Sequence, residues 1–304
     1  MSFFKFTLIF ALLCLSTTIF AKQILEDEDK QMFLRSRSHT GEVEQLVFPS
    51  IIQDERDALT ALYYATNGKT WNRSTNWLRP NIHHCSWFGI ACDTEARVLE
   101  LYLDHNNLTG NIPVQICGLK HVSTLDLSVN NIEGVIPSCL GQMSELIELT
   151  IDNNKITGDI PASIGMLSKL AFVFAYNNQL EGSIPNVFDK LPNLQYMYIY
   201  GNKLTGPIPS TLSTLKNLSH LSLRDNALTG NIPQDVGNLS NLQVLYIQNN
   251  KLEGDIPSQL ARLTNLNLLN LSSNNLNYGM IPNDVLQLCE SIKEKPDGIC
   301  VLAQ

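Results

Sequence analysis

The sequence has few features that point to a nucleic acid, a membrane surface or a catalytic reaction. Only 16% of the 304 residues are charged, and acidic residues outnumber basic ones by 29 to 21. This acidic balance repels phosphate backbones and anionic lipid, which argues against nucleic acid or a bare membrane as partner. No Gly-x-Ser-x-Gly elbow, phosphate-binding loop or zinc-ligand spacing is present. Basic proteins, peptides and neutral glycans remain as partners.

Long apolar runs are also missing, with one exception at the N terminus. Residues 1–21 read "MSFFKFTLIFALLCLSTTIFA", a single lysine followed by an apolar centre that ends at Ala21. This pattern predicts a secretory signal peptide. The alternative is an N-terminal membrane anchor, which the short run and the lack of a basic stop after it disfavour. No other segment approaches the ~20 apolar residues that cross a bilayer. We therefore expect a secreted protein of the extracellular space or cell wall, with no membrane insertion after signal removal.

The cysteines and the glycosylation sequons fit the secretory route. Seven cysteines become six when Cys14 leaves with the signal, and the net charge becomes −9 when Lys5 leaves. An even number of cysteines in an oxidising compartment predicts disulfides. Five Asn-x-Ser/Thr sequons predict N-glycosylation at Asn72, Asn107, Asn217, Asn238 and Asn270.

A repeat of 24 residues begins at Val98 and occurs eight times. Typical copies are "LIELTIDNNKITGDIPASIGMLSK" and "LSHLSLRDNALTGNIPQDVGNLSN". Isoleucine-proline recurs in all eight copies, one residue late in the last, where Tyr278 is inserted. The ninth position is always asparagine: Asn106, Asn130, Asn154, Asn178, Asn202, Asn226, Asn250 and Asn274.

Such a repeat predicts a coil that cannot bury its own apolar edge, so that neighbouring coils must stack into one continuous core. A short strand in each coil pairs in parallel with its neighbours, at the ~4.8 Å spacing of a sheet. The asparagine lies where the chain turns away from the strand. There its amide can pair with backbone groups that the turn leaves unpaired. We therefore expect an asparagine ladder along the solenoid.

The motifs "NNLTGNIP", "NKITGDIP" and "NALTGNIP" resemble the plant-type extracellular leucine-rich repeat. This repeat is found in polygalacturonase-inhibiting proteins and in the ectodomains of leucine-rich-repeat receptor-like kinases. The preceding segments "DERDALTALYYATNG", "WNRSTNWL" and "CSWFGIAC" resemble the N-terminal cap of that family. The resemblance covers residues 54–288 and implies a leucine-rich-repeat solenoid, an α/β horseshoe or right-handed superhelix with a concave parallel sheet. It says less about function, because the same scaffold recognises peptides, hormones and enzymes.

Stacking requires a cap at each end of the core. We expect a short helix near Asp57–Tyr64 and the side chains of Trp71, Trp77 and Trp87 to cover the first coil. The predicted organisation is a signal peptide (1–21), a mobile charged leader (22–53), an N-terminal cap (54–97), eight repeats (98–288) and a short C-terminal cap (289–304).

The stacking of caps and coils also suggests how the cysteines pair. Cys85 and Cys92 are expected to close a loop in the front cap, and Cys289 and Cys300 another in the back cap. Cys117 and Cys139 fall on adjacent coils. They either form a third disulfide or are two small core residues.

Alignment of the repeats assigns the two faces of the sheet, because successive strand residues alternate faces. The third, fifth and seventh positions face outward on the concave side. The fourth and sixth positions form the predicted core: Leu101, Leu103, Leu125, Leu127, Leu149, Ile151, Val173, Ala175, Met197, Ile199, Leu221, Leu223, Leu245, Ile247, Leu269 and Leu271.

Aromatic residues occupy every outward position of the fourth and fifth repeats. A contiguous exposed apolar patch predicts an interaction site, and tyrosine is common at binding hot spots. The alternative is an aromatic ladder that only stabilises the sheet, at ~0.2–1 kcal/mol per pair. That alternative leaves unexplained why two strands of eight carry it. The predicted ligand-binding residues are Phe172, Phe174, Tyr176, Tyr196, Tyr198, Tyr200, His220, Arg224 and Tyr246.

Acidic side chains on the first three strands are the strongest catalytic candidates. Glu100, Asp126 and Glu148 lie on adjacent strands, ~5 and ~10 Å apart at sheet spacing, which brackets the carboxylate separations of glycosidases. An open sheet face is expected to leave such groups solvated, with ordinary pKa values. We therefore expect no enzyme.

Neither a metal nor a cofactor is expected. His83 and His84 precede Cys85, whose use in a disulfide argues against a metal site. Asn270 faces outward in the last repeat, where a glycan would confine binding to the first seven repeats.

Together these patterns predict a secreted, non-enzymatic recognition protein. It binds an extracellular protein or peptide through its concave face, as an inhibitor of a secreted cell-wall hydrolase or as a soluble receptor-like factor. The alternatives are a cell-wall glycan-binding protein and a purely structural extracellular protein.

Overall fold

The computed structural model describes residues 50–302, with side chains from Gln53 onward. The predicted signal peptide and residues 22–49 of the predicted leader lie outside the described residues. Across residues 50–302 no helix combines the length and the apolar composition needed to cross a bilayer.

Within residues 50–302, ten strands form one sheet along the solenoid, and the strands are numbered in chain order. Neighbouring strands pair in parallel, except that β1 pairs antiparallel with β2. Eight strands come from the eight repeats, and the caps add β1 and β16. In spatial order the strands are β1 (Ile90–Cys92), β2 (Val98–Tyr102), β4 (Thr124–Asp126), β6 (Glu148–Thr150), β8 (Phe172–Phe174), β10 (Tyr196–Tyr198), β11 (His220–Ser222), β12 (Val244–Tyr246), β14 (Leu268–Asn270) and β16 (Ile299–Val301).

A second set of short strands follows the asparagine turn and pairs in twos. These pairs are β3 (Thr109–Asn111) with β5 (Asn131–Glu133), β7 (Thr157–Asp159) with β9 (Gln179–Glu181), and β13 (Glu253–Gly254) with β15 (Asn275–Leu276).

Short 3-10 helices return the chain to the next strand. Six of them begin directly after the proline of the isoleucine-proline motif, whose fixed φ and missing N–H suit a first helical turn. They span Val114–Gly118, Ser138–Gln142, Ala162–Met166, Ser210–Thr214, Gln234–Asn238 and Ser258–Arg262. Others lie at Gly68–Thr70, His84–Ser86, Phe188–Lys190 and Tyr278–Met280.

The predicted core is confirmed. All sixteen side chains at the fourth and sixth positions are buried, including Met197 and Ile199 between the tyrosines of β10. Burying one such aliphatic side chain stabilises the fold by about 1.5–3 kcal/mol. The burial of these sixteen side chains therefore settles which face of the sheet is the core and which is free for other contacts.

The asparagine ladder is present as well. The Asn130 amide donates to the carbonyls of Leu103, Leu127 and Ser128, at 2.9–3.0 Å. Its Oδ1 accepts from the backbone N–H groups of Asn106 and Leu108. Equivalent amides at Asn154, Asn178, Asn202, Asn226, Asn250 and Asn274 each bond one carbonyl of the preceding coil and two of their own. Each asparagine therefore ties two coils together.

Both ends of this ladder are closed by residues outside the repeat pattern. Asn106 exchanges two hydrogen bonds with the backbone of Arg73 in the front cap. At the other end the hydroxyl of the inserted Tyr278 accepts from the Asn274 N–H and donates to the Leu271 carbonyl, each at 3.1 Å. Tyr278 thus takes the place of the asparagine that a ninth repeat would supply.

The front cap begins with helix α1 (Ser50–Ala65), which starts four residues before the boundary expected at residue 54 and is longer than the predicted Asp57–Tyr64. Its buried face contacts the predicted tryptophan cluster. The ring centroids of Trp71 and Trp77 lie 4.8 Å apart, and those of Trp77 and Trp87 lie 4.9 Å apart. At the back, helix α2 (Asn283–Lys293) crosses the boundary expected between the last repeat and its cap.

All three predicted disulfides are formed: Cys85–Cys92, Cys117–Cys139 and Cys289–Cys300. The middle pair bridges two adjacent coils, so the alternative of two unbridged core residues is wrong. The potential metal-ligand atoms of His83, His84 and Cys85 lie within 4.8 Å of one another. Because the Cys85 sulfur is bonded to Cys92, it offers no thiolate there.

A buried acid and a buried imidazole lie where α1 meets the first coils. Glu55 is 1% exposed and accepts from the Val98 N–H at 2.9 Å. Its Oε1 lies 3.5 Å from His121 Nδ1, and its Oε2 lies 3.8 Å from Nε2 of the fully buried His84. Burial raises the pKa of Glu55. Burial lowers the pKa of His84 from 6.5 to about 4, so that its ring is neutral at pH 7.

The neutral His84 predicts an acid-sensitive front cap. The pKa of His84 is 6.5 in the unfolded chain and about 4 in the folded protein. Between these two pH values, His84 of the unfolded chain is protonated whereas His84 of the folded protein is not. This difference costs stability as the pH falls. Relative to His84→Phe, the protein should lose about 2 kcal/mol of unfolding free energy between pH 7 and pH 5. Urea unfolding at both pH values measures this loss.

The matched control is Leu59→Val, because Leu59 is buried in the same cap and the substitution changes no titratable group. It should follow the pH dependence of the unmodified protein. Parallel pH profiles for the protein and His84→Phe would contradict the prediction.

Candidate ligand-binding face

The strands align the outward residues of the repeats as their 24-residue spacing predicts. Tyr196 is opposite Phe172 on one side and His220 on the other. Tyr198 is opposite Phe174 and Ser222 in the same way. Outward side chains therefore form three columns that cross the strands.

We call the six aromatic side chains of repeats four and five the aromatic patch: Phe172, Phe174, Tyr176, Tyr196, Tyr198 and Tyr200. All six are half-buried on the outward face. Ring centroids lie 5.4 Å apart for Phe172 and Tyr196, and 5.6 Å apart for Phe174 and Tyr198. These separations are typical of favourable aromatic pairs. The rings therefore support one another and leave their remaining surface to the solvent.

The seventh-position column is a continuous stack. Tyr176 and Tyr200 lie 4.5 Å apart and are nearly parallel, at 7°. The Arg224 guanidinium carbon lies 4.4 Å from the Tyr200 ring centroid, in cation–π geometry. Asp152 interacts electrostatically with Tyr176 at the opposite end of the stack. These contacts hold the rings in place before any ligand arrives.

His220 and Tyr246 extend the same face toward the C-terminal repeats. The His220 ring stacks on Tyr196 at 4.3 Å, and burial lowers its pKa to about 4. It is therefore a neutral hydrogen-bonding group at pH 7. Tyr246 is half-buried and lies opposite Ser222. The nine predicted ligand-binding residues thus share one surface, and their role in binding stays a prediction.

Ser222 is a feature of this face that sequence reasoning missed. It is 2% exposed and lies between Tyr198 and Tyr246 in the fifth-position column. Its hydroxyl has no hydrogen-bond partner within residues 53–302. In the aligned repeats, a small polar residue between two tyrosines is the sequence feature that could have indicated this burial. The depth of its burial depends on side chains of neighbouring coils.

Replacing Ser222 with alanine should stabilise the free protein by about 1 kcal/mol, because an unpaired buried hydroxyl costs free energy that a methyl group does not. Urea unfolding measures the change. The matched control is Ser213→Ala, since the buried Ser213 hydroxyl donates to the Ser210 carbonyl. That control should lose about 1 kcal/mol. A loss of stability in Ser222→Ala would contradict the prediction.

The acidic side of the face differs from the expectation of an open, solvated surface. Burial raises the pKa values of Asp126 and Glu148, although both accept hydrogen bonds from neighbouring residues. Asp152 is 3% exposed, and burial raises its pKa to about 6. The expectation of ordinary pKa values was wrong for Asp126 and Glu148, because burial removes part of their solvent.

The five predicted glycosylation sites differ in their exposure to solvent. Asn72, Asn107, Asn217 and Asn238 are exposed. Asn270 is half-buried at the end of the outward face, where its Oδ1 accepts from the N–H and hydroxyl of Ser272. Glycosylation at all five stays a prediction.

Comparison with known families agrees with this architecture. The Leucine rich repeat profile matches residues 96–156, 175–228 and 216–276, and the Leucine rich repeat N-terminal domain profile matches residues 52–93. The chain belongs to the leucine-rich-repeat family. The second profile coincides with the cap that contains α1, the tryptophan cluster and the Cys85–Cys92 disulfide.

The relatives of this leucine-rich-repeat protein include several plant proteins. Receptor-like protein 36 of Arabidopsis thaliana is 40% identical over 79 residues, which are 25% of this chain and 10% of that protein. The crystal structure of PEPR1–AtPEP1 is 35% identical, with a TM-score of 0.68, over 74% of this chain and 32% of that one.

The Arabidopsis receptor kinase HAESA, in complex with the peptide hormone IDA and the co-receptor SERK1, is 31% identical, with a TM-score of 0.69. That match covers 78% of this chain and 40% of the HAESA chain. The leucine-rich-repeat protein is therefore of the plant extracellular type, and it spans much less than the full length of these relatives.

Proposed function

We propose that this protein is secreted and recognises an extracellular peptide through its concave face, with the aromatic patch as the central contact. The observation that carries the proposal is the arrangement of six half-buried, mutually packed rings on two adjacent strands. Tyrosine combines a large rigid contact surface with a polar tip, and its ordering costs little conformational entropy. HAESA, which this chain resembles, is a receptor whose structure contains a peptide hormone.

The shape of the face favours an extended ligand. Each repeat contributes only three outward side chains, whereas eight repeats extend over ~34 Å at the spacing of a sheet. A ligand that makes many contacts must therefore lie across the strands and along the columns. An extended peptide has this form, and its side chains can reach more than one column.

We further propose that the protein does not catalyse a reaction. The carboxylates of Asp126 and Glu148 are held by hydrogen bonds to Ser128 and Thr150. The rings of the patch are stacked on one another. Both arrangements suit a rigid recognition surface, in which binding groups are fixed before the ligand arrives.

The test is a selection of random 12-residue peptides displayed on phage against the purified protein. Hydroxyl-radical footprinting with an enriched synthetic peptide then locates the binding surface. We expect protection of Tyr196, Tyr198 and Tyr200. Oxidation of Tyr64 and Met280, which are 66% and 69% exposed, should stay unchanged. Failure to enrich any peptide, or protection outside the patch alone, would overturn the proposal.

A further inference from the structure

We infer that the peptide bound by this face is cationic at one end and apolar at the other, with its basic residues over repeats one to three and its apolar residues over the aromatic patch. This inference rests on the proposed function and adds the chemistry and placement of the ligand. It follows from the charge, burial and spacing of the outward side chains.

The outward face changes character along the solenoid. Five carboxylates occupy outward positions in the first three repeats, and lysine and arginine are absent from those nine positions. The patch follows in repeats four and five, and then His220 and Arg224. The charge of Arg224 is already engaged by the Tyr200 ring and by Asp225, whose Oδ2 lies 3.6 Å from Arg224 Nε. The five carboxylates are those of Glu100, Asp104, Asp126, Glu148 and Asp152.

The acidic region lacks compensating positive charge from its own outward columns. Asp104 pairs with His105, which is 3.0 Å away at the rim. Asp126 and Glu148 accept hydrogen bonds from the neutral groups Ser128 and Thr150, and His105 at the rim is a positive group that acts on Asp126. The negative charges of Asp126 and Glu100 also repel the Glu148 carboxylate. Partial burial makes this repulsion stronger than it would be in bulk water. A lysine or arginine of a ligand would relieve this repulsion, whereas an acidic ligand would increase it.

A second feature of the same face fits a ligand with two parts. The aromatic patch lies directly beside the acidic strands, since Phe172 on β8 is opposite Glu148 on β6. An apolar side chain of a peptide would contact the rings while a basic side chain of the same peptide reaches the carboxylates. The face is thus ordered as carboxylates followed by rings.

The spacing of these regions sets the spacing within the peptide. The middle of the acidic region lies at the second repeat, and the middle of the patch lies between the fourth and the fifth. This separation of two and a half strands is ~12 Å, or about four residues of extended chain. Basic residues of the ligand should therefore lie about four positions from an aromatic or aliphatic residue.

The peptides enriched by the phage selection test the inference directly. We expect lysine or arginine three to five positions from an aromatic or aliphatic residue. Binding of one such synthetic peptide, measured by fluorescence anisotropy, should weaken at least tenfold in Asp126→Asn/Glu148→Gln. Both substitutions keep the oxygen that accepts from Ser128 or Thr150, so the fold should be retained. Raising the salt concentration should weaken binding to the unmodified protein more than to this variant.

The matched control is Asp159→Asn/Glu181→Gln, which removes two exposed carboxylates from the paired strands β7 and β9, away from the main sheet. It should bind the peptide as the unmodified protein does. Enriched peptides that are acidic or without charge bias, or equal binding by both variants, would overturn the inference and leave the proposed function standing. Enrichment of no peptide, together with binding of a neutral xyloglucan oligosaccharide at the patch, would overturn both.

Discussion

Asn130→Ala is expected to lower the free energy of unfolding by about 4 kcal/mol. The Asn130 side chain makes five hydrogen bonds with backbone groups of two adjacent coils. Alanine would leave the N–H groups of Asn106 and Leu108 without their acceptor, in a site where Asn130 itself is only 9% exposed. Each unsatisfied buried group costs about 1–3 kcal/mol.

Urea unfolding followed by circular dichroism measures this effect. The matched control is Asn193→Ala, because Asn193 is exposed and its amide donates a single hydrogen bond, to the Ser168 carbonyl. That control should change stability by about 0.5 kcal/mol or less. Equal effects of the two substitutions would show that the ladder does not hold the coils together.

Tyr198→Ser/Tyr200→Ser is expected to weaken binding of an enriched peptide at least 100-fold, or about 2.8 kcal/mol at 1.4 kcal/mol per tenfold change. Central aromatic residues contribute most of the affinity at typical interfaces. Loss of Tyr200 also removes the ring that holds Tyr176 and Arg224 in the stack. The structural role of the rings is smaller, at ~0.2–1 kcal/mol per cross-strand pair.

Fluorescence anisotropy with the labelled peptide measures the loss of affinity. Met166→Ser/Met280→Ser is the control, since these side chains are 63% and 69% exposed and lie outside the outward columns. It should leave the affinity unchanged. Tyr198→Phe/Tyr200→Phe separates the contribution of the rings from that of the hydroxyls. If the serine variant binds with an affinity within threefold of that of the unmodified protein, the patch only stabilises the sheet and the prediction is wrong.

Much of the fold could be predicted from the amino-acid sequence because the same interactions recur in every coil. Leu125 and Leu127 occupy the core for the same reason as Met197 and Ile199, since strand alternation and a 24-residue spacing place all of them inward. The aromatic patch follows from the same arithmetic. Tyr196 and Tyr198 alternate with core residues along the strand and must therefore face outward.

The two ends were less predictable because they interrupt the repeat. Over residues 50–302 the sheet has ten strands, since β1 and β16 join it from the caps. The hydroxyl of Tyr278 closes the asparagine ladder, a role that its position as an apparent insertion did not reveal. A segment that occurs once in the chain offers no second copy against which its contacts can be aligned.

The 24-residue pattern was therefore sufficient to predict the solenoid, its core and its outward face, and it placed Cys117 and Cys139 on adjacent coils, whereas their disulfide is seen only in the structure. Only the packed structure revealed that Ser222 is buried with no hydrogen-bond partner in the described part of the chain, and that burial raises the pKa values of Asp126, Glu148 and Asp152. The reason is physical. Whether a strand side chain faces inward or outward depends on the alternation of neighbouring residues. Its exposure to solvent depends on the side chains of neighbouring coils, 24 residues away in sequence, that pack against it.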